Sequence, residues 1–489
     1  SIGRPKALVY DAFAKLKWKI NDLHSFSFSA FNSVDAYGYD YGVNSEEHIQ
    51  WSNLVGNLWY DGTMDDFWKI HAGLSYNHFS NVQGMVKTIG RTDSDLAIRS
   101  SIDEVILHGM ANYDAGIFHF QGGIKGRYSR FNPATSQRIT GGALLMTSGT
   151  TAGNHSTDCL TGTFHLQLEA KKENRYDFRA SGRLNYCWVN RTDVQRRTGS
   201  LDPEASALAR LNLTRWLGVE ATADWTTQYY HTLEGIPLGW SLDLIVPSDN
   251  QFGPEKTSQY YAGMFLSAGN HRLSFGCYTK RMRGLVYFTD ATALFSSAAA
   301  GWREKIAIGQ GSSKGMEILY EKTGEKLNYR IAYTYSETDR TFHELNKGKS
   351  FPAKFHRPHI LNMSADYTIS CNSSREIALT TLFTYQSGHW ETVAAGKYYG
   401  FLIREPDKVP LNYLTTINNY EMPAYIRLDV GCRIKYNQDR KYPQTLNVGI
   451  YNLLNRHNPF SLTYDATERT WKQVSIFPIM PSLNWIIEF

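Results

Sequence analysis

Apolar and polar residues alternate one by one along much of this chain. In Phe118, Phe120, Gly122, Ile124, Gly126 and Tyr128 one face is apolar or aromatic, while the intervening His119, Gln121, Gly123, Lys125 and Arg127 are polar or small. The same period of two returns in Phe178, Ala180, Gly182, Leu184, Tyr186 and Trp188. It returns again in Ile426, Leu428, Val430, Cys432, Ile434 and Tyr436, set against Arg427, Asp429, Arg433 and Lys435. Successive side chains of a strand point to opposite faces, so each segment has one greasy and one wet side. A sheet with lipid outside and water inside requires this arrangement.

Strands are expected near 8–20, 24–39, 48–60, 67–81, 102–113, 117–128, 160–171, 176–190, 205–213, 218–230, 259–268, 271–288, 315–322, 327–336, 360–369, 376–385, 424–436, 444–454 and a proline-bent 471–489, about 19 in all. Their connections are of two kinds. Turns at Asn21-Asp22, Asp114-Ala115-Gly116, Glu173-Asn174-Arg175, Gly269-Asn270, Thr323-Gly324 and Asn437-Gln438 are short and carry turn-forming residues. Between them lie long stretches at 130–159, 289–311, 337–358, 386–423 and 456–470. Short connections on one rim and long ones on the other describe an outer-membrane barrel, an all-β transmembrane antiparallel fold with turns in the periplasm and loops outside. If the last strand descends to the periplasm, counting back makes the first strand descend too and leaves Ser1 outside. Complete bacterial barrels have an even strand number. An odd set of N-terminal strands is therefore expected beyond this chain, with 1–489 forming one barrel domain.

Bulk properties narrow the class further. With 42% hydrophobic residues, a mean hydropathy of -0.41 and no long apolar run, a helical membrane protein is excluded. Aromatics at 14% would furnish the two interfacial girdles. The formal charge of +5 is spread through strands and loops without a basic arm, so no nucleic-acid partner is expected. Of the five cysteines, Cys187, Cys277 and Cys432 fall in strand patterns, Cys159 in an expected loop and Cys371 in an expected turn. No spacing suggests a metal knuckle or disulfide framework. Ser1 to Leu8 lacks the apolar core of an export signal. Catalytic motifs are not found either, so neither enzyme activity nor a cofactor is expected.

Several segments resemble the TonB-dependent outer-membrane transporters, and the similarity covers nearly the whole chain. Tyr451-Asn452-Leu453-Leu454-Asn455-Arg456 is similar to that family's strand-end motif. Met422-Pro423-Ala424-Tyr425 with Arg427-Leu428-Asp429, and the close from Gln473-Val474-Ser475 to Phe489, resemble its last strands. Thr227-Gln228-Tyr229-Tyr230-His231 followed by Ile245-Val246-Pro247-Ser248 is similar too. The resemblance implies a barrel of about 22 strands around a plug, of which this chain would supply roughly the last 19. A plug-bearing N-terminal chain or fragment would supply the plug and about three strands. The implied function is active import of a scarce nutrient (siderophore, haem, cobalamin, peptide or glycan), driven by the inner-membrane TonB complex. Implied partners also include outer-membrane lipid and lipopolysaccharide, and the resemblance leaves open a surface lipoprotein lid. A passive diffusion channel and a surface binding protein are the alternatives.

Candidate residues follow from this frame. Trp390, Tyr398, Tyr399 and Phe401, in the longest expected loop, offer flat rings for a ligand at the mouth, with loop packing as the alternative. Trp485, Ile487 and the terminal Phe489 resemble a barrel-assembly signal, against an ordinary hydrophobic strand end. Lys125, Arg127, Arg179, Arg183, Arg427, Arg433 and Lys435 face the expected bore, where they either attract an anionic solute or pair with carboxylates nearby. His343, His356 and His359 cluster in sequence without tight ligand spacing.

Overall fold

The computed structural model describes residues 4–40, 45–89, 92–140, 148–152, 156–191, 196–233, 244–289, 306–372, 374–394, 396–398, 411–413, 416–439, 441–465, 470–475 and 477–488. A 21-stranded antiparallel sheet dominates, and two of its members, Ser148–Ala152 and Phe351–Pro352, are short additions at one rim. The other 19 strands form the wall. They are β1 (Arg4–Lys19), β2 (His24–Asp40), β3 (Ser45–Thr63), β4 (Trp68–Ile89), β5 (Thr92–Ala115), β6 (Phe118–Thr140), β7 (Thr157–Lys172), β8 (Tyr176–Arg191), β9 (Arg196–Asn212) and β10 (Leu217–Gln228). The series continues with β11 (Glu255–Ala268), β12 (His271–Phe288), β13 (Ile306–Lys322), β14 (Leu327–Phe342), β15 (His359–Cys371), β16 (Arg375–Gln386), β17 (Tyr425–Tyr436), β18 (Gln444–Tyr451) and β19 (Met480–Ile487).

Each wall strand pairs antiparallel with the next, from β1–β2 through β18–β19. Because directions alternate over an odd number of strands, β1 and β19 run the same way. Among the described residues, β1 is paired only with β2 and β19 only with β18.

The short-turn rim is built on two devices. In one, a side-chain oxygen accepts from the amides two and three residues on: Asn21 from Leu23 and His24, Asp65 from Phe67 and Trp68, Thr214 from Trp216 and Leu217, and Asn372 from Ser374 and Arg375. In the other a single left-handed residue reverses the chain, as at Gly116 (φ 69°) and Asn437 (φ 55°).

Register carries the apolar face unbroken from strand to strand. Leu16 opposes Phe28, then Leu58, Leu74 and Leu107, and further round Ile124 opposes Phe164 and Leu184. These residues are open, Leu107 at 65% and Ile124 at 66% exposure. An exposed apolar patch running across these eight strands is far beyond what a water-facing surface carries. Its height fits hydrocarbon: Phe118 to Tyr128 is ten steps of about 3.3 Å, which at the tilt of a barrel strand is a band about 25 Å tall. Charge begins immediately past it. Asp103 takes Nδ1 of His78 at 2.7 Å and the Tyr76 hydroxyl at 3.1 Å, while Asp158 takes Nε of Arg130 at 2.8 Å and the Tyr128 hydroxyl at 2.9 Å.

The opposite face is polar. In places its aromatic rings lie flat on glycines: the Tyr261 phenol covers Gly263 and Gly276, and Tyr278 covers Gly315. The buried apolar clusters lie toward the long-loop rim, one around Phe131, Cys159, Cys187 and Val189, and one among the loops.

Two sequence expectations are corrected. Cys159 lies within β7, two residues after its start, rather than in a loop. The expected closing strand 471–489 is two elements, Thr470–Ser475 pairing with Pro459–Asp465 and β19 in the wall. The chain breaks between them at Phe477 (φ 59°) and Pro478.

Candidate functional site

Above the wall the long connections fold on one another. Met282, Leu285, Ala307, Phe342, Leu345, Phe351 and Ile417 form a buried cluster where β12, β13 and β14 rise past the lipid band and meet the later loops. Asparagines knit those loops. Asn346 donates to the Ile417 carbonyl at 3.1 Å and accepts from its amide at 2.7 Å. Asn418 donates to the Pro352 carbonyl at 2.8 Å, and its own amide donates to Thr392 at 3.0 Å. Asn419 accepts from the Val393 amide at 2.8 Å and donates to its carbonyl at 2.9 Å. A side-chain amide that completes both hydrogen bonds of another backbone acts as a one-residue strand pair.

A second knot stands over β10 and β11. Tyr230–Leu233 pairs with Leu244–Pro247, so the two halves of the motif read from the sequence, 227–231 and 245–248, meet in space. His231 is 2% exposed, and its Nε2 lies 3.0 Å from the Gly253 carbonyl and 3.1 Å from the Ser248 hydroxyl. Burial holds this imidazole below its ordinary 6.5. Asp249 accepts from the Gln251 and Phe252 amides at 2.8 and 3.3 Å and pairs with Arg191 at 3.5 Å. Between the two knots is a polar cavity of about 130 Å³ whose walls include His231, Glu255, Arg340 and Lys354. That is room for a few waters or one small charged group, below the several hundred Å³ that a drug-sized ligand fills. A larger space, about 470 Å³, is an open depression on the outer face, lined by Ala180, Ala207, Ala209, Ala221 and Ala223, and faces the hydrocarbon.

The strand-end motif has a definite task. Asn452 is 1% exposed with φ 53°. Its amide donates to Asp429 at 2.9 Å, its Nδ2 donates to the carbonyls of Arg456 and Phe477 at 3.0 and 3.1 Å, and its Oδ1 accepts from the Arg456 amide at 3.3 Å. Arg456 reaches the Ala424 carbonyl at 3.1 Å, and Asn458 completes both backbone bonds of Ile426 at 2.9 Å. One residue thereby ties the tops of β17, β18 and β19, its backbone amide reaching β17 and its side chain the segments beyond β18 and before β19.

Most of the bore cations named from the sequence find carboxylates on their own strand or within two strands of it. Arg179 meets Asp177 at 2.8 Å and Glu169 at 3.4 Å, Arg183 meets Glu204 at 3.7 Å, and Arg127 meets Glu104 at 3.9 Å. Arg427 meets Asp429 at 3.1 Å, Arg433 meets Asp366 at 3.3 Å, and Lys435 meets Glu376 at 3.2 Å. Lys125 has no such partner among the described residues. The three histidines serve separate places. His359 stacks with Tyr333 on the outer rim, His343 is exposed, and His356 is tucked under β14, its Nδ1 accepting from the Thr338 amide at 3.1 Å. Among the described residues no group of three His, Cys, Asp or Glu side chains is placed to hold a metal.

Of the four aromatic candidates, Trp390 is half-buried in Trp390–Glu391, paired with Tyr420–Glu421, and its amide donates to the Lys354 carbonyl at 3.0 Å. Its indole Nε1 is buried without an acceptor among the described residues. Tyr398 ends the short strand Gly396–Tyr398, and Tyr399 and Phe401 lie outside the described residues. Trp485 and Ile487 stand on the outer face at the short-turn rim, with Trp485 donating to Gln444 at 3.1 Å; Phe489 lies outside the described residues.

A hydrocarbon-facing antiparallel wall around a charged bore, turned tightly at one rim and looped at the other, is a membrane-spanning β-barrel of the bacterial outer-membrane type. Residues 4–453 match the family model described as TonB dependent receptor-like, beta-barrel, and the chain belongs to that family. Its members are outer-membrane receptors and transporters, and this chain is an outer-membrane protein. Among solved structures it is similar to BauA, the ferric preacinetobactin receptor from Acinetobacter baumannii, at 12% identity and a TM-score of 0.63, covering 97% of this chain and 71% of that one. It is likewise similar to the ferric yersiniabactin uptake receptor FyuA from Yersinia pestis, at 11% identity and a TM-score of 0.62, covering 100% and 80%. The FrpB iron transporter from Neisseria meningitidis matches at 10% identity and a TM-score of 0.65, covering 97% and 72%. At these identities the likeness is one of fold. No curated protein matches the chain by sequence.

Proposed function

We propose that this barrel is the wall and loop portion of an energised importer that captures a scarce nutrient outside and admits it when a plug in the bore rearranges. The main support is the pairing of a self-neutralised charged bore with a cross-tied loop assembly above it, on a family fold that works with a plug domain and TonB. Neighbours named as ferric-chelate receptors make an iron chelate the first cargo to test, ahead of haem, cobalamin, peptide or glycan. The 130 Å³ cavity is too small to enclose such a cargo, so capture falls to the loop rim. Trp390 supports a place there, because a buried indole donor without an acceptor carries a desolvation cost that a ligand oxygen would relieve. Tyr398, Tyr399 and Phe401 would complete the aromatic platform. A plug-bearing polypeptide, the TonB complex, lipopolysaccharide around the wall and a lipoprotein lid are the partners this reading assigns.

The test is uptake of radiolabelled ferric chelates by cells whose only receptor is this protein. Import that stops when the proton gradient is collapsed is expected, and import that continues undiminished overturns the reading. Planar-bilayer recordings should be nearly silent, whereas steady conductance would favour a passive pore.

A further inference from the structure

The polar cavity between the two loop knots is walled by charges of opposite sign that do not meet. Glu255, the first residue of β11, is half-buried and makes neither a hydrogen bond nor an ion pair among the described residues. Lys354 lines the same cavity. No carboxylate among the described residues lies within ion-pair distance of its Nζ, which stands 6.0 Å from the centre of the Phe355 ring. Arg340, a third wall residue, donates to the Met282 thioether at 3.4 Å.

A charge withdrawn from water without a partner costs free energy, so a carboxylate and an ammonium beside one space would close on each other if they were free to move. Separate frames hold these two apart. Glu255 is fixed by its register with Gln228 of β10, and the Lys354 backbone by the Trp390 amide, which donates to its carbonyl at 3.0 Å. The gap of about 130 Å³ that results has room, at ~30 Å³ for each liquid water, for about four or five heavy atoms. A simple anion placed there would face Glu255, and a simple cation would face Lys354 and Arg340. Only a molecule carrying both signs matches the whole wall.

We propose that this cavity binds a small zwitterion of the α-amino acid type, its ammonium on Glu255 and its carboxylate on Lys354 and Arg340. A primary ammonium brings three N–H donors to a carboxylate that has received none, and both contacts are charge-assisted. His231 belongs to the hairpin over β10 and β11, and Phe342 to the buried cluster of the other knot, so an occupied cavity ties the two loop assemblies together. The proposal stands on these wall residues and on neither the cargo nor the energy source, so loss of the importer reading leaves it intact.

Hydrogen exchange of the whole protein in nanodiscs, followed while glycine is titrated in, tests it. Glycine should slow exchange of 231–233 and 353–356 at least threefold. Acetate, methylammonium and trimethylglycine at the same concentration should leave it unchanged, because the first two carry one charge each and the third has no N–H to donate. Glu255→Gln and Lys354→Met should each require at least tenfold more glycine for the same protection. The proposal is overturned if glycine gives no protection, if acetate or trimethylglycine protects as well as glycine, or if Glu255→Gln responds like the wild type. The four probes act on the unaltered protein, so the test holds even where a variant fails to fold.

Discussion

Replacing Asn452 by alanine should open the top of the last three strands. The substitution deletes two donated hydrogen bonds and one accepted one, takes the Asn452 amide from the carbonyls of Arg456 and Phe477, and puts a Cβ-bearing non-Asn residue at φ 53°. At roughly 1 kcal/mol for each bond and another 1 kcal/mol or so for the left-handed backbone, the local loss is about 3–4 kcal/mol. With about 1.4 kcal/mol to each tenfold change in population, amides around 450–458 and 477–481 should exchange about two to three orders of magnitude faster while the wall strands stay protected. Hydrogen exchange of the protein in nanodiscs, read by mass spectrometry, measures this. Asn452→Gly keeps the side-chain loss and removes the backbone strain, so it should fall between alanine and wild type. Protection within threefold of wild type in the alanine variant, or a glycine variant looser than alanine, would refute the assignment of Asn452 as the tie.

Other outcomes follow from the same structure. Ile124→Arg puts a charge near the middle of the lipid band and should cost about 2–4 kcal/mol in folding into bilayers, whereas the bore-facing Gln121→Arg should cost little; equal losses would mean the faces are misassigned. Burial holds the His356 imidazole below its ordinary 6.5, against the opposing pull of Asp339, Glu337 and Glu421, and its Nδ1 must stay unprotonated to accept from Thr338. The unfolded chain therefore binds the proton more readily, and the stabilisation, complete above about pH 6.5, is lost as pH falls from there through the folded value. Exchange of 336–358 should quicken on acidification in the wild type, and a His356→Gln variant that keeps the same pH dependence would exclude this histidine as its source. Asn346→Ala removes both bonds to Ile417, about 2 kcal/mol, and should speed exchange of 416–422 by tenfold or more. Trp390→Ala with Tyr399→Ala should weaken ligand binding at the cell surface without changing barrel yield; unchanged binding removes the platform.

The wall was legible because lipid on one side and water on the other impose a strict period of two, and the expected strands correspond one to one with β1–β18, the last expected strand containing β19 and one loop strand besides. Boundaries failed where that contrast ends. β5 begins at Thr92 rather than near Ile102, and β6 runs to Thr140, because Asp93-Ser94-Asp95 and Thr135-Ser136-Gln137 carry no apolar–polar alternation in the sequence. The loop assembly was not legible for another reason. Its ties join residues as far apart as Asn346 and Ile417, and no local spacing announces such a pair. Asn452 was visible as part of a motif, but its task needed the Phe477 carbonyl, which the break at Phe477-Pro478 delivers from the next element.

The glycines beneath Tyr261 and Tyr278 decide where those rings lie. A methyl group at Gly263 would meet the Tyr261 hydroxyl at 2.5 Å and push that phenol off the wall, while one at Gly315 would meet the Tyr335 carbonyl of the next strand as well as the Tyr278 ring at 2.9 Å and would strain the sheet itself. Strand number and tilt set the width of the bore, and residues without a side chain let its large rings lie flat along the wall.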